Sequence, residues 1–146
     1  MTDETQRLIL AIEDNPDHAR VIQQTLAAST LEVVAIANGE EALAFLTRQG
    51  RYATARRPDL ILLDLNLPGR DGRALLSLFK RDLALRRIPI IVLTSSNSHD
   101  DIHTSYLNQS NCYVIKSEDL DQLARIVKRI EDFWFGIVTL PIELRR

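Results

Sequence analysis

The sequence predicts an α/β fold, a three-layer α/β/α sandwich around a five-stranded parallel sheet. Three observations predict it. Short continuous apolar runs alternate along the chain with stretches of 3.6-residue period, the pattern of a sheet covered on both faces. Five such strand–helix units follow one another, with no inserted domain and no repeat at a solenoid period. Four of the runs end in polar groups of different chemistry: Leu8–Ile12 in Glu13 and Asp14, Leu60–Leu63 in Asp64, 90–93 in Thr94, and Cys112–Ile115 in Lys116. Parallel strands would gather those groups on one sheet edge, where open α/β sheets bind ligands.

Each element has its local signals. After the first strand, Asn15 can cap a helix that has Pro16 at its first position and Ala19, Ile22 and Leu26 as its buried stripe. Residues 31–37 read as the second strand. Asn38 with Glu41 forms a capping box ahead of Leu43, Phe45 and Leu46, and Gly50 is the expected helix end. A basic loop over 51–58 leads to the third strand. The breaker-rich 66–72 loop then precedes a helix marked by Leu75, Leu76, Leu78 and Phe79. Pro89 opens the fourth strand. Ser98 and Asp101 suggest a cap for a helix reaching Asn108, whose thin stripe of Ile102, Tyr106 and Leu107 makes it the least securely packed helix and a candidate for movement. Ser117 is the expected cap of the last helix, with Leu120, Leu123, Val127, Ile130 and Trp134 on its apolar face.

Composition narrows the function classes. A chain of 146 residues is one domain of ordinary size, and 45% hydrophobic with 26% charged residues is normal for a globular protein. A net charge of −2 gives no drive toward nucleic acid or an anionic membrane, and the Arg pairs at 56–57, 86–87 and 145–146 form no stripe. The single cysteine, Cys112, leaves no internal disulfide or cysteine-built zinc site, and its apolar surroundings suggest a buried structural thiol. The expectation is a cytoplasmic protein with no membrane span and no nucleic-acid partner.

The strand-end groups suit phosphoryl transfer assisted by a hard cation. Asp64 sits between apolar neighbours, where an unpaired charge is expensive and a cation or lysine partner is expected. Asp14 and Asp64 could offer oxygens to one Mg²⁺ (or Mn²⁺), with Glu13 acting through a bound water. A carboxylate can also attack phosphorus to give an aspartyl phosphate, whose oxygens Lys116, Thr94 and backbone N–H groups could neutralise. Taken singly, each group has a plainer reading: solvated loop acids, a capping aspartate, a strand-end threonine, a surface lysine. Their joint placement at separate strand ends is what carries the reading.

The motifs Ile12-Glu13-Asp14-Asn15-Pro16, Leu62-Leu63-Asp64-Leu65-Asn66-Leu67-Pro68-Gly69-Arg70-Asp71-Gly72, Val92-Leu93-Thr94-Ser95-Ser96 and Cys112-Tyr113-Val114-Ile115-Lys116 resemble, together, the receiver domain of two-component response regulators over residues 7–134. The resemblance implies a flavodoxin-like sheet of order 2-1-3-4-5. It implies Asp64 as phosphoacceptor, with Lys116 and Thr94 in the reaction. Glu13 through water, Asp14, Asp64 and the backbone carbonyl of Asn66 would form the metal set. Thr94 and Tyr113 would be the switch pair, and Asn66 and Ser96 would tune hydrolysis. Such a protein accepts a phosphoryl group from a sensor histidine kinase; it is not a free-standing metabolic enzyme, though it can slowly release its own phosphate. Lys116 is followed by Ser117, where most receivers have proline, which puts the setting of the lysine loop in question.

Residues 135–146 read as an apolar extension of a 1–134 receiver domain, with no room for an output domain. Phe133, Trp134, Phe135, Ile137, Val138, Leu140, Ile142 and Leu144 make this tail too apolar for a solvated terminus. It either folds back or packs on a second copy. The tail and the motifs resemble the single-domain regulators paired with bacterial phytochrome histidine kinases. That resemblance implies such a kinase as partner and a homodimer through Phe133, Trp134, Phe135, Ile137, Val138 and Leu140. Two other classes compete: a phosphatase using Asp64 transiently, which would need a separate acid/base although His18, His99 and His103 look solvated, and a binding module that signals without phosphate.

Overall fold

The computed structural model describes residues 6–27, 31–69 and 71–141. Its elements alternate strictly: β1 (Leu8–Ile12), α1 (Pro16–Ala27), β2 (Glu32–Ile36), α2 (Gly39–Thr47), β3 (Leu60–Leu63), α3 (Gly72–Arg81), β4 (Ile90–Thr94), α4 (His99–Leu107), β5 (Cys112–Ile115) and α5 (Leu120–Gly136). All pairings are parallel, in the order β2-β1-β3-β4-β5.

Every residue of β1, β3 and β4 is buried, because helices cover both faces of these central strands. Alternate side chains feed two cores. On one face Leu10, Ile61 and Val92 pack with Phe45 of α2 and Leu75, Leu76 and Phe79 of α3. On the other, Ile9, Leu62 and Ile91 pack with Ile22 and Leu26 of α1 and Leu123, Val127 and Ile130 of α5. The cores fix the register, and the register fixes which side chains stand at the carboxyl edge. Ile12 pairs with Leu63, Leu63 with Val92, and Thr94 with Ile115, so Glu13, Asp64, Thr94 and Lys116 emerge side by side.

Local signals act largely as expected. Asn15 Oδ1 accepts from the amides of Asp17 and His18, Asn38 Oδ1 from Glu41, and Ser98 Oγ from Asp101. Some expectations need correction. The second strand covers only Glu32–Ile36. Helix α2 stops at Thr47 with Arg48 in the left-handed conformation (φ 58°), while Gly50 opens a 3₁₀ turn, Gly50–Tyr52. The early stop lets Arg51 and Tyr52 fold back onto Glu41.

Ser117 does not cap α5. Asp119 does, accepting from the Gln122 amide at 3.0 Å, while Ser117 Oγ accepts from Asp119 one turn earlier. The Lys116 amide is still bonded to the Thr94 carbonyl, so the chain leaves the sheet before it can turn into helix. No cis peptide bond occurs among the described residues.

Helix α4 is weakly packed, but not along the expected stripe: Ser105 is its one buried residue and Ile102 is half-buried, while Tyr106 and Leu107 turn outward, 50% and 67% exposed. At the other end α5 runs on to Gly136, past the 134 boundary, and the tail folds partly back. Leu140 is buried and Val138 half-buried, whereas Phe133 and Ile137 stay exposed. Ile142 and Leu144 lie outside the described residues. Cys112 is half-buried rather than fully buried, because β5 is an edge strand. No helix among the described residues is long and apolar enough to cross a membrane.

Candidate phosphoacceptor site

Asp64 follows the last residue of β3 and is buried, at 5% exposure. Its two oxygens are divided between neighbours. Oδ1 accepts from the Thr94 hydroxyl at 2.8 Å and the Asn66 amide at 3.1 Å, and Oδ2 accepts from Lys116 Nζ at 3.0 Å. Lys116 reaches further, donating to Glu13 Oε1 at 2.6 Å. The Asn15 amide in turn donates to Glu13 Oε2.

Both acids and the lysine are buried side chains, so one ammonium faces two carboxylates out of water. Burial works against charge on all three. For Asp64 the ammonium and the donated hydrogen bonds outweigh burial and hold the carboxyl below its ordinary value. For Glu13 burial wins, reinforced by Asp64, and pushes its pKa up to about 7 despite the Lys116 bond. Lys116 is held above its ordinary value because its two carboxylate partners outweigh its own burial.

That imbalance bears on cation binding. Ligand atoms of Glu13, Asp14 and Asp64 all lie within 4.8 Å of one another, with Asp14 exposed at the mouth and the other two on the floor. Three hard oxygen donors carrying more negative charge than Lys116 offsets fit a small divalent cation, Mg²⁺ or Mn²⁺.

The remaining candidate residues lie around the pocket or away from it. Ser96 lies on the β4–α4 loop, its amide 3.5 Å from Thr94 Oγ1 and its hydroxyl donating to Asp101 at 2.6 Å. Tyr113 is half-buried, and its phenol donates to the Ser96 carbonyl at 2.9 Å. The tail aromatics and aliphatics Phe133, Trp134, Phe135, Ile137, Val138 and Leu140 are apart from the pocket, on the end of α5 and the segment after it.

Two residues escaped the reading of the sequence. His18 is buried, not solvated, with Nε2 3.4 Å from Glu118 and no hydrogen-bond partner for Nδ1 among the described residues. Burial and the nearby Lys116 charge lower its pKa. Its place in the α1 stripe, at the position before Ala19, was the available signal. His99 and His103 are exposed, as expected. The other is Arg73, which clasps Asp101 with a two-toothed bond, 2.7 Å at each contact.

The family model of the response regulator receiver domain matches residues 9–128. The chain belongs to the response regulator receiver family. Among curated relatives, Response regulator Rcp1 of Synechocystis is 45% identical over 145 residues, 97% of this chain and 99% of Rcp1. Among solved structures, the phosphorylated cyanobacterial phytochrome response regulator RcpA is 50% identical with a TM-score of 0.91, covering 94% of this chain and 99% of RcpA. The Mn²⁺-bound form of Rcp1 gives a TM-score of 0.89 at 45% identity, covering 93% of this chain and 99% of that one. The strand order of this receiver, 2-1-3-4-5, is that of the family expectation.

Proposed function

We propose that this receiver accepts a phosphoryl group on Asp64 from a phosphohistidine of a bacterial phytochrome histidine kinase, and signals by changed protein–protein contacts. The observation that carries the reading is the surroundings of Asp64: a buried carboxylate held by the Thr94 hydroxyl, the Asn66 amide and the Lys116 ammonium, beside two further acids. Likeness to RcpA and Rcp1 supports the choice of kinase class.

In the transfer, an Asp64 oxygen forms a bond to phosphorus as the N–P bond to the donor histidine breaks, in line, and the imidazole leaves with the bonding pair. Asp14, Asp64 and the Asn66 carbonyl would hold the cation, with Glu13 acting through a bound water, and the cation would supply positive charge to one phosphoryl oxygen. Lys116, already on Asp64, neutralises a second oxygen. Thr94 and backbone N–H groups at the edge of the β4–α4 loop serve the third. Thr94 then biases that loop and the weakly packed α4, with Tyr113 following it inward. Asn66 and Ser96 govern how fast water takes the phosphoryl group off again.

The receiver acts in the cytoplasm as a 1–134 receiver domain whose last helix runs on into the apolar 135–146 extension. It pairs with a second copy through Phe133, Trp134, Phe135, Ile137 and Val138, whereas Leu140, expected in that surface, is buried against its own domain. Exposure of Phe133 and Ile137 at 49% and 75% supports that surface. Light scattering at micromolar concentration checks the pairing, and a monomer with and without a phosphoryl mimic contradicts it. For the transfer itself, an autophosphorylated phytochrome kinase should pass its label to the wild type and not to Asp64→Asn. Equal labelling of both proteins refutes the site.

A further inference from the structure

One set of polar groups at the mouth of the pocket has no part in the transfer to Asp64. Arg73, in the first turn of α3, lays its guanidinium across the gap between the β3–α3 and β4–α4 loops. Nε and Nη2 donate to the two oxygens of Asp101 at 2.7 Å each, and Nη2 also reaches Asn66 Oδ1 at 3.4 Å. Nη1 donates to Asp71 at 2.9 Å and to the Leu65 carbonyl at 3.3 Å. Asp101 is also the acceptor for the Ser96 hydroxyl at 2.6 Å. One guanidinium therefore ties together two residues that border the reactive carboxylate. Asn66 donates its amide to Asp64 Oδ1, and the Ser96 amide reaches the Thr94 hydroxyl, which itself donates to Asp64 Oδ1.

We propose that Arg73 is a positioning residue that sets the lifetime of the aspartyl phosphate, by clamping the two loops between which the attacking water must enter. The proposal rests on the reading of Asp64 as phosphoacceptor. In hydrolysis a water oxygen bonds to phosphorus as the bond from phosphorus to Asp64 breaks. Inorganic phosphate leaves with the water's oxygen, its protons pass to phosphate and solvent, and the carboxylate is restored. In-line attack brings the water from the side opposite the Asp64 oxygen, which is the mouth and not the floor. Lys116, at 3% side-chain exposure, belongs to the floor, and Arg73, at 35%, to the rim. A planar fork with several donors can hold Asp101, Asp71 and Asn66 at once, which a lysine ammonium on a flexible stem cannot reproduce.

The test loads the full chain from acetyl phosphate with Mg²⁺, removes the donor, and follows first-order loss of the adduct by intact mass. The proteins are wild type, Arg73→Ala, Arg73→Lys, Asp101→Asn and the double variant Arg73→Ala/Asp101→Asn. Each single variant, the lysine one included, should lose its phosphoryl group roughly three- to tenfold faster than wild type, and the double no faster than the singles. The rate of loading should stay within about twofold, since Asp64, Lys116 and Thr94 are intact. Loss as slow as wild type, additive effects in the double variant, or loading impaired as much as retention would overturn the clamp while leaving the phosphoacceptor in place. A wild type that takes up no phosphoryl group, either from acetyl phosphate or from the autophosphorylated kinase, would overturn both.

Discussion

Lys116 gives its shorter bond to Glu13 and not to Asp64: 2.6 Å to Glu13 Oε1, against 3.0 Å to Asp64 Oδ2. The ammonium is therefore shared between an acid of the cation pocket and the proposed phosphoacceptor. Fold and site meet there, because β5 delivers the charge that lets β1 and β3 each end in a buried carboxylate.

Removing the lysine should be costly for that reason. In Lys116→Met both carboxylates lose their buried counter-charge, and breaking a buried pair from one side costs about 3–5 kcal/mol. Urea unfolding should show the loss, and Mg²⁺ should restore part of it. A variant as stable as wild type in the absence of the ion would contradict this.

The cation should stabilise the fold by mass action. At a concentration 100-fold above its Kd, Mg²⁺ should add about 2.7 kcal/mol, provided the unfolded chain does not bind it. Asp14→Asn should weaken the effect with little change in the metal-free protein, because Asp14 is exposed. Thermal unfolding against Mg²⁺ concentration reads both.

Asp101 should mark the acid limb of stability. Its bonds from Arg73 and Ser96 lower its pKa from 3.8 to about 2. Between those values the unfolded chain binds the proton and the folded one does not, so stability rises with pH across the window. The contribution is complete above pH 3.8 and fades as the pH falls through about 2. Asp101→Asn should therefore flatten the stability profile in that window, measured by denaturant titration at stepped pH. An unchanged slope would show that the Arg73 clasp does not persist in solution.

Gly72 should tolerate no side chain. A Cβ there would collide with the Asp64 carbonyl oxygen and lie 2.6 Å from the Leu65 Cα, both backbone atoms that cannot swing aside. Gly72→Ala should push the start of α3 off the β3–α3 loop, costing about 1–3 kcal/mol, and it should disturb Asp64 and Arg73 together. Calorimetry gives the first effect, and the adduct lifetime gives the second.

The strands and most caps were readable because their causes are local. Asn15, Asn38 and Ser98 bond to amides two or three residues on, so the neighbouring sequence holds the information. The strand-end groups were readable because each breaks an apolar run. Arg73 was not: its partner Asp101 is 28 residues away and meets it only because the sheet order places α3 beside α4. Asp119 displaced Ser117 as the α5 cap for a reason equally remote, the bond between the Lys116 amide and Thr94 on the next strand. His18 was misjudged because a histidine at a helix start looks solvated until α5 is packed beside α1.

Phosphorylation of Asp64 itself is read by intact mass after incubation with Mg²⁺ and acetyl phosphate, wild type beside Asp64→Asn. Wild type should yield a species heavier by one phosphoryl group, labile to hydroxylamine as an acyl phosphate is, and Asp64→Asn should not. The same adduct at full stoichiometry on Asp64→Asn would contradict Asp64 as the acceptor.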